Sequence, residues 1–169
     1  IPKNIDLIID GGAFNGAFAS GTIIYLKKLE ELKLLKVNRI SGCSIGAILA
    51  VIYLTDTIDE NIPIFEEILT SFRETMFLDK LSSIIHKLVN KYVTNIDILN
   101  DKLFITYYDI TTMKQVVVSK YESKEELIDI LIRSSYIPFI TDGNIKYKNK
   151  FCDGCTPYIF HKTNNKILF

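Results

Sequence analysis

A short apolar run, Ile5 to Ile9, halts at Asp10-Gly11-Gly12 and gives way to a helical pattern; Val37 to Ser41 then halts at Gly42 and gives way to a second one. Apolar runs of this length stopped by glycine read as buried strands entering turns. Repetition of the strand, turn, helix unit implies a mostly parallel sheet with helices packed on its faces. In the first helix, expected over 17–35, Phe18, Tyr25, Leu26, Leu29 and Leu32 recur at helical spacing among lysines and glutamates. The second, from Ile45, is apolar almost throughout to Leu54. That is about half of the roughly 20 residues a membrane span requires, so it reads as a buried core helix.

Further along, Ile64, Phe65, Ile68, Leu69 and Phe72 fit one amphipathic helix, and Leu78, Leu81, Ile85, Leu88 and Tyr92 fit another. Leu103 to Ile110 and Gln115 to Val118, rich in β-branched and aromatic residues, form an expected hairpin, and Lys124 to Arg133 a last helix. Asp142-Gly143 reads as a turn between two extended stretches within 140–152. The apolar end, Ile167-Leu168-Phe169, has no capping residue and reads as a trimmed C-terminus.

With 169 residues, 48% of them hydrophobic, the chain can bury one good-sized core, and a single domain over 1–169 is expected. Twenty basic residues balance twenty acidic ones, so no global field favours nucleic acid. Residues 1–9 lack the length and cleavage site of a signal peptide, which points to a cytoplasmic protein whose membrane contact, if any, is peripheral. Cys43, Cys152 and Cys155 are an odd set in such a chain, so reduced thiols are expected rather than a disulfide framework. Cys152 and Cys155 form a C-x-x-C, but no second pair completes a tetrahedral set, so neither metal nor cofactor is expected.

The chemistry concentrates at Gly42-Cys43-Ser44-Ile45-Gly46, a G-x-S-x-G between a strand and a helix. A serine nucleophile has to project from a sharp strand-to-helix turn, and glycines two residues to either side let neighbouring backbone pass. The following helix aims its positive end at Ser44, favouring a developing oxyanion. A second glycine cluster, 10–16, precedes the first helix and offers unpaired N–H groups to an anion. It suits an oxyanion hole. A nucleotide phosphate loop is the rival reading, weakened because neither the G-x-G-x-x-G order nor a Walker lysine is present.

Three blocks in this order, Gly11 to Gly16, Gly42 to Gly46 and Asp153-Gly154, resemble the patatin-like phospholipase family; Arg133 to Pro138 also looks like that family's helix end before the aspartate strand. The resemblance implies a three-layer α/β/α sandwich with a mostly parallel central sheet. It implies a Ser44–Asp153 dyad without histidine, an oxyanion hole from the N–H groups of Gly11, Gly12 and Ala13, and an elbow framed by Gly42 and Gly46. The implied reaction is calcium-independent ester cleavage of phospholipids or neutral acyl lipids. Two residues depart from the family pattern: Ala13 stands for its third glycine and Asn15 for its usual Arg or Lys, which removes a positive charge.

Asp142-Gly143 competes with Asp153-Gly154 for the acid, but Asp142 sits among ordinary turn residues, whereas Asp153 ends an apolar-flanked stretch that can deliver a carboxylate to the mouth of the sheet. Ser44, Asp153 and His161 also follow the chain order of a Ser-His-Asp esterase. The plainer expectation is a surface His161 and a partly buried His86 on a helix. A catalytically silent lipid- or protein-binding module on the same fold is the remaining alternative, motivated by Asn15.

Overall fold

A computed structural model describes residues 3–61, 63–161 and 163–169. Ile1 and Pro2, part of the leader reading, fall outside them. Strands β1 (Lys3–Ile9), β2 (Leu35–Cys43) and β3 (Leu103–Asp109) lie side by side and parallel. Strand β4 (Lys114–Val118) closes the expected hairpin antiparallel to β3, and β6 (Lys166–Leu168) adds a parallel strand beyond β1, giving the order β4-β3-β2-β1-β6. The two residues of β5 (Phe151–Cys152) pair antiparallel with Tyr108 and Asp109. Since β4 holds the other flank of those residues, β5 occupies the flank that β2 vacates after Cys43. This places the residue after β5 beside the residue after β2.

The helices are α1 (Gly16–Glu31), α2 (Ile45–Leu54), α3 (Ile58–Asn61), α4 (Pro63–Thr75), α5 (Leu81–Tyr92) and α6 (Lys124–Ser134). Ile5, Leu7 and Ile9 of β1, Ile40 of β2 and Ile105 of β3 form one core with α1, α2, α5 and α6. Val37 and Ile40 both join that core, although three positions apart, because the register slips between Ile5 and Asp6 and leaves Asn38 as a bulge residue. Helix α2, buried along nearly its whole length, touches all three parallel strands, as its apolar composition predicts. The result is a mixed α/β fold with a mostly parallel central sheet, consistent with the α/β/α expectation. No helix among the described residues is long and apolar enough to cross a membrane.

Helix α1 departs from its sequence reading. It ends at Glu31, Leu35 opens β2, and the buried face is Gly16, Ser20, Ile23 and Leu26, while Phe18, Tyr25 and Leu32 are exposed. The extended stretches expected in 140–150 are mostly turns, and the apolar tail is strand β6. The face of the sheet away from Ile40 and Ile105 also meets residues 156–160 and 163–165. There the Thr106 hydroxyl donates to the Thr156 carbonyl at 2.7 Å, and Phe104 packs on Tyr158 and Phe160. Buried Asp6 accepts from Arg39 at 2.5 Å, Thr163 at 2.5 Å and Asn165 at 2.9 Å.

Candidate active site

Ser44 is the single residue between β2 and α2, with φ 53° and ψ −129°. A left-handed φ is strained for a residue with a Cβ, and such strain persists only where its surroundings enforce it. Here the glycines do so by close approach: a Cβ on Gly42 would lie 2.6 Å from the Gly46 carbonyl carbon, and one on Gly46 only 2.3 Å from the Ile9 carbonyl oxygen. Backbone therefore crosses backbone where β1 and β2 end. The Ser44 carbonyl accepts from Ala47 N–H at 3.0 Å, starting α2, and the Ser44 N–H donates to the Ser134 hydroxyl at 2.9 Å.

Asp153 follows β5 and is brought to the same place. Its N–H donates to the Tyr136 carbonyl at 2.8 Å, and Gly154 N–H donates to the Ser134 carbonyl at 3.1 Å. A Cβ on Gly154 would sit 2.3 Å from the Thr106 carbonyl oxygen, so only glycine lets the chain pass there. Ser134, fully buried at the end of α6, thus holds the backbone on both sides of the site. Asp153 Oδ2 accepts from Cys155 N–H at 3.0 Å, while Oδ1 is buried without a hydrogen-bond partner. Burial pushes the Asp153 carboxyl above its usual range; the neighbouring Ser44 hydroxyl and the Cys155 N–H pull it back, and the negative charge of Asp10 adds to the rise.

The glycine loop closes the site from the β1 side. Gly11 packs so closely that a Cβ there would be 3.3 Å from the Ser44 Cβ. Its N–H donates to Asp10 Oδ1 at 2.7 Å, which occupies one of the three donors expected for an oxyanion. Gly12 (φ 119°) and Ala13 (φ 40°) continue the loop in left-handed backbone, and among the described residues no hydrogen bond engages their N–H groups. Asn15 braces the turn, its N–H donating to the Gly12 carbonyl at 2.8 Å and its side-chain amide lying where a Gly12 side chain would go. It supplies packing in place of the missing cation.

The family model of patatin-like phospholipases matches residues 7–107. The chain belongs to the patatin-like phospholipase family. Membership places it among lipid acyl hydrolases. The matched stretch runs from β1 through β3 and includes the glycine loop and the Ser44 elbow, whereas Ser134 and Asp153 lie beyond it. No curated protein matches the chain.

A patatin-like site has to accommodate an acyl chain, and an apolar cavity opens beside Ser44. Ile48, Ile68, Leu78, Leu81 and Ile137 line it together with Ser135, whose buried hydroxyl has no partner. The free volume is small, about 20 Å³, room for little more than one water. Of the competing groups, Asp142 accepts the buried Tyr136 hydroxyl and, at 3.0 Å, Asn144 N–H. Burial raises the Asp142 carboxyl, but these bonds outweigh it and leave the pKa below the ordinary range. It is a turn residue with an added tie into the core. His161 is exposed, its ring edge-on to Tyr158, and His86 is exposed on α5 rather than partly buried; neither bonds to Ser44 or Asp153. The Cys43 thiol, next to Ser44, is pushed up to about 12 by burial and by the charges of Asp153 and Asp10, so it stays protonated and unreactive.

Sequence reasoning gave no role to Ser134 or Ser135, although both stand in the Arg133 to Pro138 block. The tie from Ser134 to Ser44 spans ninety residues of chain, and no local pattern signals it.

Proposed function

We propose that the chain is a serine lipid acyl hydrolase in which Ser44 is the nucleophile and Asp153 the base. The observation that carries the reading is a strained, buried serine at a helix start facing a desolvated carboxylate with one free oxygen. Ser44 Oγ attacks the acyl carbonyl carbon as its proton passes to Asp153, and the carbonyl oxygen takes the negative charge. The N–H groups of Gly12 and Ala13, at the positive end of α2 and beside the elbow, stabilise that oxyanion; Gly11 contributes shape. Collapse expels the alcohol, which takes the proton from Asp153 and leaves an acyl ester on Ser44. Water, deprotonated by Asp153, then cleaves the ester and restores the serine. A carboxyl with a raised pKa is a stronger base than a solvated one, which suits this role. The substrate is an ester of a long-chain acid, from a phospholipid or a neutral acyl lipid, met at the cytoplasmic side of a membrane.

A fluorophosphonate probe tests the reading. Wild-type protein should label, Ser44→Ala should not, and Asp153→Asn should lose ester turnover. A wild type that never labels would support the silent binding module instead.

A further inference from the structure

We propose that the outer wall of the cavity beside Ser44 is a docking surface for a bilayer with anionic headgroups; this deepens the acyl-hydrolase reading by naming how such an enzyme meets its aggregated substrate. Two segments form the wall. The Leu78 N–H donates to the Ile140 carbonyl at 2.8 Å, and Gly143 lies against the Phe77 ring, so 76–78 and 137–145 meet edge to edge. Each turns one side chain inward, Leu78 and Ile137, to line the cavity. Each also turns large apolar side chains outward: Met76 is 65% exposed, Phe77 41%, Phe139 61%, Ile140 39% and Ile145 55%.

Backbone geometry sharpens the point. Met76 and Phe139 have φ of 59° and 65°, a conformation that favours glycine or asparagine and penalises bulky residues. These side chains are held in water against both solvation and backbone preference, and contiguous exposed apolar surface of this kind marks an interaction site. Charge selects the occupant. The stretch 143–150 carries Lys146, Lys148 and Lys150 and no acidic residue. Lys148 and Lys150 pair with Asp129 and Asp109 yet remain about half exposed. Lys146 is exposed and has no ion pair among the described residues. Across the wall, the carboxylates of Asp142 and Asp79 accept the Tyr136 and Ser71 hydroxyls, which hold their oxygens to the protein, so the lysines of 146–150 are the charges set beside the apolar side chains. Apolar loop residues beside lysines match the interfacial layer of a bilayer, where rings settle among headgroups and basic side chains meet anionic lipid.

The test uses the Ser44→Ala chain, so that binding is read without hydrolysis, floated with vesicles of phosphatidylcholine alone or mixed with phosphatidylglycerol. Binding should be stronger to the mixed vesicles and should weaken with salt. Phe77→Ser combined with Phe139→Asn should lower partitioning at least about tenfold. Asparagine suits the left-handed backbone at 139, so thermal unfolding should be no earlier, and in the Ser44 background hydrolysis of p-nitrophenyl butyrate should persist. Undiminished vesicle binding by the double variant would overturn the proposal. So would a concentration-dependent dimer that the same substitutions dissolve, which would assign the surface to a second copy. The two readings fail separately: probe labelling without vesicle binding sinks the surface alone, and vesicle binding without labelling sinks the hydrolase.

Discussion

On the proposed reading, Asp153 carries opposite consequences for activity and for stability. Its pKa is raised in the folded chain, chiefly by burial, so its contribution to stability is full below the unfolded pKa and is lost as pH rises through the folded one. At neutral pH the ionised carboxylate is a standing cost. Asp153→Asn should therefore cut kcat by at least about a hundredfold while raising the denaturation midpoint at neutral pH, an advantage that shrinks in acid. The acid limb of kcat/KM should lie above the ordinary carboxylate range and be unmoved by His161→Ala; its disappearance in that variant would transfer the base role to histidine. Ser134→Ala removes the acceptor for the buried Ser44 N–H, at a cost of about 1–3 kcal/mol, and, if Ser44 is the nucleophile as proposed, should lower kcat far more than it alters KM, because it displaces Ser44 without touching the cavity beside it. The tight turn at Ser44 was legible from sequence because glycine spacing on either side of it is a local steric demand. Ser134 was not, since its role exists only once the end of α6 meets the start of α2.

Elements read well where composition left one solution. Helix α2 is apolar on every side and is buried on every side. The hairpin β3–β4 and helix α6, with Ser123 accepting from Glu126 N–H at its start, carry local signals of turn and cap. Helix α1 carries apolar residues around most of its circumference, so spacing alone does not select the face, and of the apolar residues at helical spacing Phe18, Tyr25 and Leu32 are exposed. Strand β6 has three exposed residues and is defined only by its neighbour β1. The glycine crossings make the sharpest prediction at this scale. Gly46→Ala drives a Cβ into the Ile9 carbonyl, backbone that cannot rotate aside, and should cost about 3 kcal/mol or more, measured by urea unfolding. Gly21, where a Cβ meets nothing within 4 Å, is the control, and Gly21→Ala inside α1 should stabilise by about 1 kcal/mol.

Across the whole molecule, the two faces of the sheet are held by different physics. The face of Ile40 and Ile105 is a hydrocarbon core, whereas the other face is pinned by Asp6. Burial alone would raise the Asp6 pKa, but Arg39, Thr163 and Asn165 outweigh it and hold it below the usual range. Its contribution to stability is thus present above the unfolded pKa and lost as pH falls through the folded one. Arg39→Met should leave a buried charge short of its partner, cost about 3 kcal/mol, and flatten the acid limb of the stability profile. An unchanged profile would mean the network is not what fixes the segment 153–165.

That segment also bears on time. Residues up to Leu54 build the elbow, but on the proposed reading the base stands at 153 and its strap is fastened at 163 and 165. A chain emerging from its N-terminus therefore makes Ser44 early, whereas Ser134, which holds its N–H, and the proposed proton acceptor at 153 follow only later. On that reading a nascent chain that stops short of residue 153 carries Ser44 yet cleaves no ester.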